Sequence, residues 1–117
     1  MNVESELLEK IRTRGLIFGV APRFQLPSPW PCYVAEIDSS VIFKIPTLEE
    51  ILDEIEKRKY VYRLDAYINY NPTEHWIYRI TLGNGASYLE YEFDGVAKNI
   101  AALEALLWVL EREKGGK

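Results

Sequence analysis

From Pro46 to Lys114 the spacing of apolar residues switches from helical to alternating and back to helical, with a start or stop signal at almost every switch. This pattern predicts a helix, three strands and a closing helix in unbroken succession. The run Pro46-Thr47-Leu48-Glu49-Glu50 sets a threonine N-cap three residues before a glutamate, a capping box that satisfies two backbone donors. Leu48, Ile51, Leu52 and Ile55 then form one stripe, with Asp53 to Lys57 and Glu54 to Arg58 spaced as ion pairs on the solvent side. Alternation takes over from Tyr60 to Tyr70. Tyr60, Tyr62, Leu64, Ala66, Ile68 and Tyr70 fall on one face, and Arg63, Asp65, Tyr67 and Asn69 fall on the other. The next strands, His75 to Leu82 and from Ala86 onward, carry Trp76, Tyr78, Ile80 and Leu82, then Leu89, Tyr91 and Phe93, on the apolar face.

Opposite residues of an antiparallel pair share a face, so parity constrains register. Matching apolar faces sets Tyr70 against Trp76 across a loop of Asn71 to His75. A two-residue turn at Asn84-Gly85, a preferred type I′ pair, sets Ile80 against Leu89 and Tyr78 against Tyr91. Tyr67, Arg79 and Glu90 then form one outward row, in which an Arg79 to Glu90 pair would contribute about 0.2–1 kcal/mol. Asn69, Ile77 and Glu92 form the next row. Asp94 reads as the N-cap of the last helix, with a stripe of Val96, Ile100, Leu103, Leu107 and Leu110 padded by alanines. Leu106, Trp108 and Val109 occupy other angles, so the end of this helix is apolar nearly all the way round and must be buried on more than one side. The N-terminal segment or another subunit would cover the second side.

Residues 1–45 read as an extension of that core. Val3, Leu7, Leu8 and Ile11 have helical spacing, and Gly15 stands where a left-handed C-cap belongs. Five prolines between Pro22 and Pro46 predict a stiff connection, because proline lacks an N–H and restricts its predecessor. Cys32 to Ile37 and Val41 to Ile45 read as short strands around Asp38-Ser39-Ser40. The expected architecture is α+β, a single domain over 1–117 with an antiparallel sheet, helices on one face and an α-β-β-β-α core over 46–114.

With 48% apolar residues the chain has ample core material, and its length suits one domain without metals or disulfides. The formal charge of −4 disfavours phosphate backbones and anionic lipid. Cys32 is the single cysteine, which excludes an internal disulfide framework, offers no metal cluster and fits a reducing compartment. Met1 to Lys10 is acidic and polar, unlike a signal peptide, and no apolar run approaches the ~20 residues of a membrane span. A cytoplasmic protein without a cofactor, a membrane or a nucleic-acid partner is expected.

His75 is the single histidine, and although Ser39 or Ser87 and a nearby carboxylate complete a notional triad, no nucleophile motif accompanies them. Gly83-Asn84-Gly85 joins strands and opens no helix, so it does not read as a phosphate loop. Two surfaces remain. The outer sheet face, with Arg63, Tyr67, Arg79, Tyr88 and Glu90, suits a small polar ligand or a protein, and an equally mixed composition belongs to any solvated sheet face. Leu106, Trp108 and Val109, with Trp30 from the proline segment beside Phe24 and Tyr33, form a candidate interface with another protein or a second copy. The same aromatics would serve equally as a lid on the core.

The helix, three antiparallel strands and helix resemble the double-stranded RNA-binding domain, and Ala97-Lys98-Asn99-Ile100-Ala101-Ala102 looks like that family's second helix. Its basic cluster is replaced here by Glu90-Tyr91-Glu92-Phe93-Asp94-Gly95 with Lys98 alone, so the resemblance does not extend to RNA binding. Pro46-Thr47-Leu48-Glu49-Glu50-Ile51-Leu52, Trp76-Ile77-Tyr78-Arg79-Ile80 and Ala105-Leu106-Leu107-Trp108-Val109-Leu110 are similar to the small phage and prophage orphan proteins of the phage ABA sandwich type. That likeness implies a viral or mobile-element setting and no catalytic residue. The expected function is non-enzymatic binding through protein contacts, including self-association as a homodimer. The alternatives are sequestration of a nucleotide-like ligand and, disfavoured, double-stranded RNA binding.

Overall fold

The computed structural model describes residues 3–24, 30–35, 39–83 and 90–115, the side chains of Glu90, Lys114 and Gly115 excepted. Their order is α1 (Val3–Thr13), β1 (Val20–Pro22), β2 (Cys32–Val34), β3 (Val41–Lys44), α2 (Leu48–Lys57), β4 (Val61–Asn69), β5 (His75–Gly83), β6 (Glu90–Gly95) and α3 (Lys98–Gly115). The fold is α+β, with two antiparallel sheets ordered β1-β3-β2 and β4-β5-β6. Among the described residues no helix is long and apolar enough to cross a membrane.

Helix α2 starts on the capping box. Glu50 N donates to Thr47 Oγ1 at 3.2 Å and Thr47 N donates to Glu50 Oε1 at 3.0 Å. The other oxygen of Glu50 accepts from Lys44 Nζ at 2.8 Å, which ties the cap to β3. Lys44 first, and then the Thr47 backbone, hold the Glu50 carboxyl below its ordinary range. At the far end Arg58 pairs with Glu54 as expected, whereas Lys57 takes Glu54 rather than Asp53. Lys59, in the left-handed region at φ 68°, turns the chain into β4.

The N-terminal segment does enclose α3. Leu7, Leu8 and Ile11 of α1 join one core with Ile51 and Ile55 of α2, and both helices pack on α3 while β5 and β6 cover its opposite side. Leu103, Leu106 and Val109 have no exposed surface. Gly15, at φ 99°, ends α1, and the neighbouring Arg14 reaches Glu111 of α3 at 2.9 Å. Trp108 fills an aromatic pocket, its ring 4.4 Å from Tyr91, 5.7 Å from Phe93 and 6.0 Å from Tyr60.

The faces of the β4-β5-β6 sheet follow parity, but both offsets differ from expectation. Ile68, not Tyr70, opposes Trp76, because Asn69 Oδ1 accepts from Asn71 N at 2.9 Å and sets Asn69 against His75 at the mouth of the turn. Ile80 opposes Phe93 rather than Leu89, and Leu82 opposes Tyr91. Gly83 pairs with Glu90, so a two-residue turn at Asn84-Gly85 does not set the register, and residues 84–89 lie outside the described ones. Alternation fixes which face a residue takes and leaves even-numbered slips open. Burial of Ile80, Leu82 and Phe93 under α3 selects among them. Asp94 consequently belongs to β6, where it opposes Arg79, and is not an N-cap; α3 starts at Lys98, and Val96 of the expected stripe is exposed. In the other sheet β1 was not expected; Pro22 is tolerated there because β1 is an edge strand.

Because the chain turns back at Gly95, opposite Tyr78, α3 covers the sheet only from the Tyr78 row onward. The row of Ile68 and Trp76 lies beyond it. The β4–β5 hairpin thus overhangs the helices, in a molecule measuring 46 × 42 × 21 Å. Its radius of gyration, 15.5 Å, exceeds the value of about 13 Å typical of this chain length.

Two substitutions test this packing by urea denaturation. Leu106→Ala is expected to cost about 2–5 kcal/mol, the range for an enclosed leucine, and a loss below about 1 kcal/mol would contradict its position. A Cβ at Gly95 would lie 2.7 Å from Ala101 N. Gly95→Ala is therefore expected to cost about 1–3 kcal/mol by overpacking the β6–α3 junction.

Candidate functional site

The outer sheet face is organised around Arg79. Its Nε donates to Asp94 Oδ1 at 2.7 Å and its Nη2 to Asp94 Oδ2 at 3.1 Å, a two-pronged contact across β5 and β6. Nη1 donates to Glu92 at 3.2 Å, and Nη2 also meets the Tyr67 hydroxyl at 3.3 Å. That hydroxyl donates to Asp94 Oδ2 at 3.2 Å, and the guanidinium lies 5.1 Å from the Tyr67 ring centre. Arg63 is held separately by Asp65 at 2.9 Å. The Arg79 side chain is raised above its ordinary pKa, chiefly by its hydrogen bonds to Asp94, and the Asp94 carboxyl is correspondingly held low by Arg79. A guanidinium so engaged by carboxylates offers little to an anion.

Of the expected ligand-binding set, Tyr67 and Arg79 are brought together, and Arg63 lies on the same face two residues from Asp65. Tyr88 and the side chain of Glu90 lie outside the described residues. The Glu90 backbone opposes Gly83, four residues along β5 from Arg79, so the expected Arg79 to Glu90 row does not form, and Asp94 takes that place. Of the expected interface set, Leu106 and Val109 are enclosed by the chain itself, Trp108 is half-buried in its aromatic pocket, and Trp30 is half-buried near Gly19. None of these four offers a wholly exposed side chain. Of the proline-segment aromatics, Tyr33 packs on Phe43 in the core, and Phe24 is exposed.

His75 Nδ1 lies 2.6 Å from the Thr73 carbonyl, an acceptor only, so the ring donates there and closes the hairpin turn. Among the described residues no group of three or more His, Cys, Asp and Glu side chains is placed to hold a metal ion.

Part of the exposed apolar surface lies on the β4–β5 hairpin. Trp76 is 53% exposed and Tyr70 69%, at the end of the hairpin that passes α3, and Val61 at the start of β4 is 59% exposed. A cleft of about 430 Å³ lined by Glu56, Lys59, Tyr60, Val61 and Tyr62 adjoins that start. Partial burial, then Glu56 and Asp53, raise the Tyr62 phenol. A second cleft of about 240 Å³, between Leu16–Phe18 and α2, is lined by Glu50, Asp53 and Glu54 with Lys57. Trp76 reads as core in sequence because its face is apolar. The signal that separates it is length: alternation in the two long strands continues past the point where Gly95 lets the covering helix begin.

The Arg79–Asp94 contact predicts a pH dependence. Asp94 is held low in the folded state, so its stabilising contribution is complete above the ordinary carboxylate pKa of about 4 and is lost as pH falls through the folded value. Wild type is expected to exceed Asp94→Asn in urea midpoint by a constant margin from neutral pH down to about 5, with the margin shrinking below about 4. A margin unchanged at low pH would show that Asp94 is not held as its ion by Arg79. In comparison with known proteins, no family model, curated protein or solved structure matches this chain.

Proposed function

We propose that this protein is a non-enzymatic interaction module that works through protein contacts. The observation that carries the reading is the β4–β5 hairpin, whose apolar inner face passes the end of its covering helix and leaves Trp76 more than half exposed beside Ile68 and Ala66. Large aromatic side chains left in water at the rim of a packed core are the anchors that protein interfaces favour. The long β4 strand at the margin of the same sheet adds backbone donors and acceptors that a second polypeptide can engage. The likeness to small phage proteins would set such a module in a viral or mobile-element context.

The alternative, a nucleotide-sequestering role for Arg63, Tyr67, Arg79 and Tyr88, is weakened by the acidic company of Arg79. The cleft beside Tyr62 has the volume of a small-ligand site, but Lys59 is offset there by Glu56. Glu92 and Asp94 on β6 oppose an RNA backbone for the same electrostatic reason.

Site-specific photocrosslinkers separate the readings. Benzoylphenylalanine at positions 62 and 76 is expected to capture polypeptide in the native host, with position 92 on the outer face as the silent control. A thermal-shift series with nucleoside triphosphates is expected to leave the melting temperature unchanged. Stabilisation that grows with nucleotide concentration, with no crosslink at either position, would overturn the proposal.

A further inference from the structure

Among the described residues β4 is the longer of the two margins of the β4-β5-β6 sheet. Natural sheets guard their edges with shortness, proline, bulges or inward charges, because a bare edge is a template for another strand. In the small sheet the edges β1 and β2 are three residues each, and β1 ends on Pro22. The edge β6 is six residues, with Glu92 and Asp94 along it. By contrast β4 runs nine residues, contains neither proline nor glycine, and pairs one-to-one with β5 over its whole length without a bulge. Among the described residues its other side has no strand partner. The two charges within it, Arg63 and Asp65, both lie on the outer face.

Those two charges make the edge complementary to itself. In an antiparallel pair of two β4 strands related by a two-fold axis at Leu64, Arg63 opposes Asp65 of the second copy and Asp65 opposes its Arg63. On the inner face Tyr62 meets Ala66, a large side chain against a small one, and Tyr60 meets Ile68. Moving the axis to Arg63 or to Asp65 sets like charges against each other, which is destabilising. An axis between residues turns the inner face of one copy to the outer face of the other, and in-register parallel pairing stacks like charges. Of the axes centred on Arg63, Leu64 and Asp65, the one at Leu64 alone sets opposite charges against each other. It also delivers Ile68 of the second copy to Tyr60, which lines the cleft of about 430 Å³, and sets the hairpin overhang of each copy beside the end of α2 in the other.

Building on the protein-contact reading above, we infer that the occupant of the β4 edge is a second copy of this chain, joined antiparallel about Leu64 into one six-stranded sheet with all helices on the same face. The contact is isologous and closes on itself as a dimer. It uses exposed side chains, Arg63 at 65% and Asp65 at 47%, so the test does not disturb the core.

The test is a charge exchange read by light scattering coupled to size exclusion, on the full chain from 1 to 200 μM. Wild type is expected at twice the chain mass of 13.6 kDa at the upper end of that range. Arg63→Asp and Asp65→Arg, each alone, should shift the dimer dissociation constant upward by at least tenfold, because each faces like charge. Mixed one to one, the two variants should recover a dimer, since each then opposes its complement. Recovery in the mixture is a result that a purely intrachain Arg63–Asp65 contact would not produce. A wild type that stays monomeric throughout, or a dimer that both variants leave intact, overturns the inference. Crosslinks from positions 62 and 76 to a different polypeptide, alongside a monomeric wild type, would also remove self-pairing and leave the protein-contact reading standing.

Discussion

The Leu106–Leu110 stretch of α3 is apolar nearly all the way round and has to be buried on more than one side, and the arrangement of this protein follows from how α3 is enclosed. Sheet strands β5 and β6 take one side, α1 and α2 take the other, and Leu103, Leu106 and Val109 between them have no exposed surface. The two enclosing helices are also fastened from outside. Arg14 reaches Glu111 and Arg58 reaches Glu113, both at 2.9 Å, so the ends of α1 and α2 are pinned to the last turns of α3. These exposed or half-exposed pairs contribute little energy singly. Their role is to fix orientation around a core whose stability comes from apolar burial.

The same helix decides what is left uncovered. Gly95 admits the close approach of the Ala101 backbone and the Ile100 side chain, so α3 folds back immediately after β6 and cannot shield the rows that precede Tyr78. Strands β4 and β5 extend past that point. The consequence is a flat molecule with an apolar overhang and one long edge. On its outer face, by contrast, the Arg79 charge is already engaged, by Asp94, Glu92 and Tyr67.

Legibility in sequence divides along physical lines. The capping box at Thr47–Glu50, the α1 stop at Gly15 and the apolar face of β4, of β5 and of β6 as far as Phe93 were readable, because each depends on local chemistry or on a period. Offsets of strand pairing were not. Parity permits slips by two, and only the side-chain contacts of Asn69 and Arg79, together with the core contacts of Phe93, select among them. The error at Asp94 has the same source: an N-cap and a cross-strand partner for arginine are the same residue type in the same place. Trp108 and Leu106 were legible as buried on more than one side but not by what, since α1 and a second subunit carry equivalent stripes. The overhang was hidden for a different reason. An apolar face predicts burial, and nothing periodic marks where the covering helix stops.

Whether the β4 edge pairs with a second strand is read out by amide hydrogen exchange along Val61–Asn69. Alternate amides of an edge strand point away from β5, so they exchange fast in the single chain and slowly once another strand pairs with them. These alternate amides are expected to gain protection as protein concentration rises, while the β5-facing amides stay protected throughout. Equally fast exchange of the outward amides at low and high concentration would contradict pairing at this edge.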